Sequence, residues 1–514
     1  MTVYVVGLDG ADWSLLRDGI DAGDFPGLAR IVDEGVTGNL ESTLPPITFP
    51  AWKCYSTGKN PGKLGVYEWF GFDRESRSIT TNDSSNFRSR EYWDVLSDEG
   101  VTPAVVNMPT THPPKTDDGV LTVAGSPASE HGEFTKPNSL KSELLDAVPE
   151  YRTKPDLVLD EATPEELISE AKTLADQRFD AAEWFADEKG CGLVHLTVFV
   201  TDTVQHRLWD RPEKIRELYE RIDRRLTALL DREDTEAVFL MSDHGFAEID
   251  ETFLVNQWLA DRGDLVVGDA GGRNALATVG ITRERLKRTV ARLGLVNLAQ
   301  ALIPESMQRF FPSESGRVAI QDAPVDWAET KAISLGRGPI YLNDAAFESD
   351  AARASYRKSL TEALSSLETP NGDPVAAAVH EPDEIYSGEL HRAPDLVVEY
   401  ATGVDAPEAI GGRVFGERTE WLATHRRQGV FGAWGDGFGS GRFDCSLYDL
   451  APTILHWFGA PVPADVDGEV QRAILVGEPQ QRGVEEGPET ATTGGGETAG
   501  GEVEETLRDL GYID

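Results

Sequence analysis

The chain has 514 residues, with 89 acids against 48 bases and a formal net charge of −41. A 40% hydrophobic share is enough for a sizeable core and excludes a fully disordered chain. The acid excess argues against a protein that coats nucleic acid or sits on anionic membrane, since both reward clustered Lys and Arg.

In chain order, short apolar β-branched runs alternate with helical periodicity, which predicts a mostly parallel central sheet flanked by helices. Residues 3–8 read as the first strand and lead into Asp9-Gly10. After Pro45, Pro46 and Pro50, a helix is expected to begin at Ala51. Residues 102–107 read as a strand ending in Asn107. A long amphipathic helix over 165–188 feeds a strand over 193–200, followed by Thr201-Asp202. A helix over 212–230 feeds a strand over 237–241, followed by Ser242-Asp-His-Gly245. Acids and histidines therefore recur where strands end, the edge at which open α/β sheets place their sites.

The expected division is a core over 1–246, an inserted cap over 247–328 and a second part of the core over 329–475. Within the cap, residues 282–293 read as a helix carrying Arg283, Arg285, Lys287, Arg288 and Arg292. That face either attracts an anionic substrate or is simply solvated. Sheet-like sequence returns at 331–335, 395–399 and 430–434, and 449–458 reads as a late helix. Residues 480–504, rich in Gly, Glu and Thr, read as a flexible acidic linker, and 505–514 as a short docking helix.

Cys54, Cys191 and Cys445 are far apart, without CxxC spacing, which excludes a disulfide scaffold and a cysteine zinc site and fits a reducing cytosol. No apolar run approaches the ~18 residues of a membrane helix, and the first residues lack a signal pattern. The expectation is a cytoplasmic protein. The charge, with Arg commoner than Lys, is that of a protein working in molar salt, where screening tames self-repulsion.

Six metal-competent residues stand at strand ends or in glycine-flanked loops: Asp9, Asp202, His206, Asp243, His244 and His425. Three carboxylates and three imidazoles suit two borderline divalent cations, zinc first and manganese second. Asp202-x-x-x-His206 lets both side chains return to one ion. Asp243-His244 can share an ion only if the backbone leaves the extended state there, a turn that Gly245 would ease. Thr48 is the candidate nucleophile, a hydroxyl near a helix N-terminus and its free N–H groups. Taken singly, each of these residues could serve structure alone, Thr48 as a plain N-cap included.

Taken together, Gly7-Leu-Asp9-Gly10, Thr48-Phe-Pro-Ala-Trp52, Thr57-Gly-Lys-Asn-Pro61, Asp202-Thr-Val-Gln-His206, Ser242-Asp-His-Gly245 and His425-Arg resemble the alkaline phosphatase superfamily. More narrowly they resemble the type I phosphodiesterase/nucleotide pyrophosphatase group and its phosphohydrolase/phosphomutase branch. Val325-Asp-Trp-Ala-Glu-Thr-Lys-Ala332, Pro394-Asp-Leu-Val-Val398, Asp449-Leu-Ala-Pro-Thr453 and Asp467-Gly468 look like that branch in particular. With the charge, the resemblance suggests a halophilic archaeal source. It implies one metal on Asp202, His206 and His425 and a second on Asp9, Thr48, Asp243 and His244. In nucleotide pyrophosphatases an Asn about 21 residues after the nucleophile holds a phosphoryl oxygen; here Trp69 stands there, leaving Lys53 or Asn107 to substitute. The implied activity is phosphodiesterase-like hydrolysis of a small phosphorylated substrate through a phosphothreonine. A phosphomutase using the same phosphothreonine and a non-catalytic metal-dependent binding protein are the alternatives.

Overall fold

All seven residues of Thr2–Leu8 (β1) are buried, so both faces of this strand are covered, as a central parallel strand requires. The computed structural model describes residues 1–115, 119–129, 132–268, 317–416, 418, 421–492 and 500–509. The elements that build the site are, in chain order, Pro26–Glu34 (α1), Val36–Glu41 (β2), Thr48–Thr57 (α2), Pro103–Val106 (β3) and Pro164–Lys189 (α3). Leu193–Val198 (β4), Val200–Leu208 (α4), Pro212–Leu230 (α5), Thr235–Met241 (β5) and Gly245–Glu248 (β6) follow. Ala423–Arg426 (β7), Gln428–Gly435 (β8), Leu450–Phe458 (α6) and Gly500–Asp509 (α7) complete the set.

β1 lies parallel between β4 and β5, and β3 continues the parallel run beyond β4. β8 joins β5 antiparallel and carries β2 on its far side, within a sheet of ten strands. The mostly parallel centre expected from the sequence is present, with an antiparallel flank. Leu8 stands opposite Val198 and Gly7 opposite Met241. That register delivers Asp9, the segment after Val198 and the segment after Met241 to one edge of the sheet.

Two local features differ from expectation at the site. α2 begins at Thr48 instead of Ala51, because Pro50 falls in its first turn, where a missing N–H breaks no helical bond. Asp202 lies inside α4, whose helix starts two residues after β4 ends. Asp202 and His206 are therefore i, i+4 neighbours on one helical face.

The expected cap boundary also moves. β6 pairs antiparallel with β7, Ala247 opposite Thr424, so the residues from 247 onward begin as part of the core. Residues 269–316, with the expected basic helix at 282–293, lie outside the described residues. Beyond them, Ala332–Ser334, Pro339–Leu342, Leu396–Tyr400 and Ala376–His380 form a separate four-stranded antiparallel sheet.

The linker expected from 480 does not leave the body at that point. Val462 pairs with Glu486, and the buried Lys59 ammonium bonds Ser89 Oγ (2.9 Å), Thr490 Oγ1 (2.9 Å) and Asp465. Polar side chains anchor a stretch that has little apolar surface to bury. A helix spans Gly500–Asp509 with Val503 and Leu507 fully buried, and residues 510–514 of the expected docking helix lie outside the described residues. Among the described residues, no helix is long and apolar enough to cross a membrane.

One long-range cap ties the layers together. α1 has Phe25 at its N-cap, which offers no acceptor. Asp223 on α5 supplies it, accepting from Gly27 N (3.0 Å) and Leu28 N (2.7 Å) while fully buried. Asp223→Ala strands two buried N–H groups, and it should cost about 1–3 kcal/mol of stability. A shifted urea midpoint at unchanged slope is the expected reading; an unchanged midpoint refutes the cap.

Candidate active site

The first ligand group joins α4 to β7. Pairing of Phe246 with His425 holds β7 against β6 and sets His425 facing α4. Asp202 Oδ1 is 3.3 Å from His206 Nε2 and 3.3 Å from His425 Nε2, and the two Nε2 atoms are 3.0 Å apart. Ligands about 2.1 Å from one tetrahedral ion stand about 3.4 Å apart. His206 Nδ1 is 2.7 Å from the Ala423 carbonyl, and His425 Nδ1 is 3.0 Å from the Pro46 carbonyl. A carbonyl accepts only from N–H, so each proton belongs on Nδ1 and both Nε2 atoms present lone pairs. Two lone pairs at 3.0 Å repel unless a cation lies between them.

The second group gathers at the ends of β1 and β5. Asp243 and His244 occupy the break between β5 and β6, where the chain leaves the extended state. Gly245 is needed for space rather than for an unusual dihedral angle: a Cβ there would lie 2.1 Å from the Gln428 carbonyl oxygen. Asp9 Oδ2 accepts from Trp52 Nε1 (2.8 Å), and Asp243 Oδ1 accepts from Gly10 N (3.1 Å). Asp9 Oδ1 and Asp243 Oδ2 are buried without a hydrogen-bond partner. His244 Nε2 lies 3.2 Å from Asp243 Oδ2 and 3.7 Å from Asp9 Oδ1, its Nδ1 turned to the Gly245 carbonyl. Thr48 Oγ1 is 3.1 Å from the same Nε2. α2 can bring Thr48 this close because Gly7 lets Trp52 pack directly on β1; a Cβ there would sit 2.5 Å from the indole.

Ligand atoms of Asp9, Asp202 and His244 also lie within 4.8 Å of one another, so Asp202 stands between the two groups. Asp9, Asp202 and Asp243 are all fully buried. Burial and the neighbouring Asp243 and Asp202 push the Asp9 carboxyl well up, and burial drives Asp243 to about 8. Burial holds His206 and His244 neutral, the state that binds metal. Orphaned carboxylate oxygens beside neutral imidazoles are a donor set that divalent cations fit, since they would neutralise the buried charge.

A family model for type I phosphodiesterase/nucleotide pyrophosphatase matches residues 3–427, a span that includes Thr48 and all six candidate metal ligands. The chain belongs to that family. It is a hydrolase acting on phosphoric ester bonds, and the family is typically metal-dependent. No curated protein sequence matches it. Its fold is similar to phosphonoacetate hydrolase from Sinorhizobium meliloti 1021 solved with phosphonoformate, at 17% identity and a TM-score of 0.53, covering 84% of this chain and 89% of that one. It is also similar to human ectonucleotide pyrophosphatase/phosphodiesterase 5, at 13% identity and a TM-score of 0.52, covering 93% of this chain and all of that one.

The two suggested substrate contacts are engaged elsewhere. The Lys53 ammonium is buried against Glu91 over the Phe87 ring. Asn107 follows β3 in a left-handed conformation, its buried side-chain amide lying between the Thr153 carbonyl and Arg178 Nε. Sequence reasoning also missed four residues next to the site. Arg426 donates from Nε and one terminal nitrogen to the two oxygens of buried Asp12 (2.7 Å each), pinning β7 and with it His425. Arg337 and Glu68 line a cleft beside His425. The signal for Arg337 was its setting, Gly336-Arg337-Gly338, a turn with positive φ at both glycines.

Asp202 is the residue whose loss should hurt metal binding most, because it adjoins both groups. Asp202→Asn should lower zinc and manganese affinity by more than about 100-fold, read by competition with a chelating indicator. In wild-type protein, chelation should lower the unfolding temperature and added metal restore it. Unaltered affinity in the variant refutes the ligand assignment.

Proposed function

We propose that the chain hydrolyses phosphodiesters through a phosphothreonine on Thr48, with two divalent cations resident, one on Asp202, His206 and His425 and one on Asp9, Thr48, Asp243 and His244. Zinc suits the three-imidazole donor set best, and manganese would be tolerated. The observation that carries the reading is the Thr48 hydroxyl, 3.1 Å from His244 Nε2 and at the first residue of α2, beside carboxylate oxygens that have no hydrogen-bond partner.

Bound cations would neutralise the buried carboxylates and the charge of the phosphoryl group and make the threonine hydroxyl more acidic. The remaining work falls to the chain's own residues. Trp52 packed on Gly7 and the start of α2 hold Thr48 Oγ1 in place, which reduces the entropy cost of attack. The free N–H groups of the first helical turn face the phosphoryl oxygens. Thr48 Oγ1 attacks phosphorus in line, its proton is lost, and the ester oxygen departs as the alcohol. Water then cleaves the phosphothreonine and frees the hydroxyl for another turnover. Asp12 and Arg426 act at one remove, keeping His425 in register.

The test compares bis-p-nitrophenyl phosphate with p-nitrophenyl phosphate, in molar KCl as the charge of −41 recommends, on metal-stripped protein with zinc or manganese restored. Diester cleavage should depend on metal and exceed monoester cleavage. Thr48→Ala should reduce it by about 10³-fold or more while metal stays bound. Full activity in that variant rules out the nucleophile.

A further inference from the structure

His195 is a fully buried imidazole that none of the chemistry above uses. It stands in the middle of β4, opposite Val5 of β1 on one side and Val105 of β3 on the other. Its Nδ1 lies 3.1 Å from the Tyr55 hydroxyl of α2, and its Nε2 lies 2.8 Å from Thr197 Oγ1. Thr197 is two residues along β4 and so shares the face of His195. The Tyr55 hydroxyl is also 2.9 Å from that of Tyr92, in the helix Tyr92–Asp98. Tyr92, Tyr55, His195 and Thr197 therefore form one polar chain, and every member is buried. Burial pushes the imidazole down to about 3, so the ring is neutral, one nitrogen donating and the other accepting. In either tautomer the bonds run in one direction, and loss of any hydroxyl leaves a buried neighbour short of a partner.

This chain meets the same face of α2 that carries Thr48. Thr48, Trp52 and Tyr55 stand at i, i+4 and i+7, one side of the helix. Each has its own anchor: Thr48 Oγ1 lies 3.1 Å from His244 Nε2, Trp52 donates to Asp9, and Tyr55 meets His195. The Trp52 indole also meets the His195 ring edge-on, with centroids 6.0 Å apart. It packs on Gly7, which is opposite Thr197 in the register of β1 with β4. The face is thus bonded to the strand that leads into Asp9 and to the strand that leads into α4 and Asp202. Apolar packing alone lets a helix roll or slide a little, whereas a satisfied polar chain holds one arrangement. Apolar residues of the same shape would serve stability about as well, so what the polar chain adds is position.

We infer that His195, acting through Tyr55, is a positioning residue for Thr48: it sets the roll and axial register of α2 and so the place of the Thr48 hydroxyl at the ligand groups. This rests on the phosphothreonine reading above, which makes Thr48 the group to be held. Tyr55 is seven positions from Thr48, about 10 Å along the helix axis. His195 and Tyr55 touch no reacting atom, and the helix between them and Thr48 carries the effect as a rigid body. A small error in roll at Tyr55 becomes a misplaced oxygen at Thr48, to which the rate of attack is steeply sensitive.

The test uses the metal-loaded full chain with bis-p-nitrophenyl phosphate. Tyr55→Phe, which removes a single oxygen atom, and His195→Leu should each lower kcat about tenfold, with KM and bound metal per chain unchanged. Thr197→Val, at the other end of the polar chain, should give the same split, and thermal melts report that each variant is folded at the assay temperature. In the Thr48→Ala background, Tyr55→Phe should change the residual rate less than about twofold, because the residue it positions is gone. A bond that served stability alone would lower the melting temperature and leave kcat of the folded protein unaltered. Wild-type kcat in the folded variants therefore overturns the assignment. So does a loss that falls wholly on KM or bound metal, or an undiminished loss on top of Thr48→Ala. The two readings fail separately. Full activity in Thr48→Ala sinks the nucleophile, whereas an inactive Thr48→Ala beside wild-type kcat in Tyr55→Phe sinks only the positioning role.

Discussion

Three carboxylates, Asp9, Asp202 and Asp243, share one edge of a sheet with no exposure to water, and their mutual repulsion is the constraint around which the site is built. In a low-dielectric setting such a cluster is tolerated only where protons or cations offset it. The fold supplies three imidazoles, each with Nδ1 at a backbone carbonyl and Nε2 turned inward, which is an arrangement for receiving cations. The parallel register of β1 with β4 and β5 is what forces the acids together, so the same packing that makes the core also concentrates the charge.

The surroundings can be understood as support for that arrangement. Trp52 and Gly7 let α2 approach β1, and Trp52 also donates to Asp9, so one indole positions both the candidate nucleophile and a carboxylate. Asp12, a few residues beyond Asp9, grips Arg426 next to His425. These residues touch no reacting atom, yet the distances among ligand atoms depend on them. The separate four-stranded sheet has a different task. It brings Arg337 to the cleft beside His425 on a tight turn.

Much of this was legible in the sequence. The strands at 3–8, 193–200 and 237–241 and the helices at 165–188 and 212–230 appear within a few residues of their expected ends, because buried parallel strands are continuous apolar runs and α5 carries Pro at its first position. The candidate ligand residues were readable because acids and histidines are costly to bury, so their recurrence at successive strand ends stands out. Less legible were features set by competing local preferences. Pro50 looked like a barrier to a helix and instead sits harmlessly in its first turn. The stretch from 480 looked unanchored for want of apolar residues, whereas buried Lys59 fastens it through hydroxyls and a carboxylate.

By itself the sequence determined the parallel α/β core and singled out the six candidate ligands and Thr48 that the fold brings together, since local periodicity and residue chemistry carry that information without knowledge of distant contacts. Only the tertiary structure decided what surrounds them. Lys53 and Asn107 were plausible substrate contacts until Glu91 and the Thr153–Arg178 pair claimed them. Arg337 and Glu68, far apart in the chain, became neighbours of His425 through folding alone. Whether a charged side chain faces a substrate or another side chain depends on which long-range partner reaches it at hydrogen-bond distance, and no short window of sequence contains that partner.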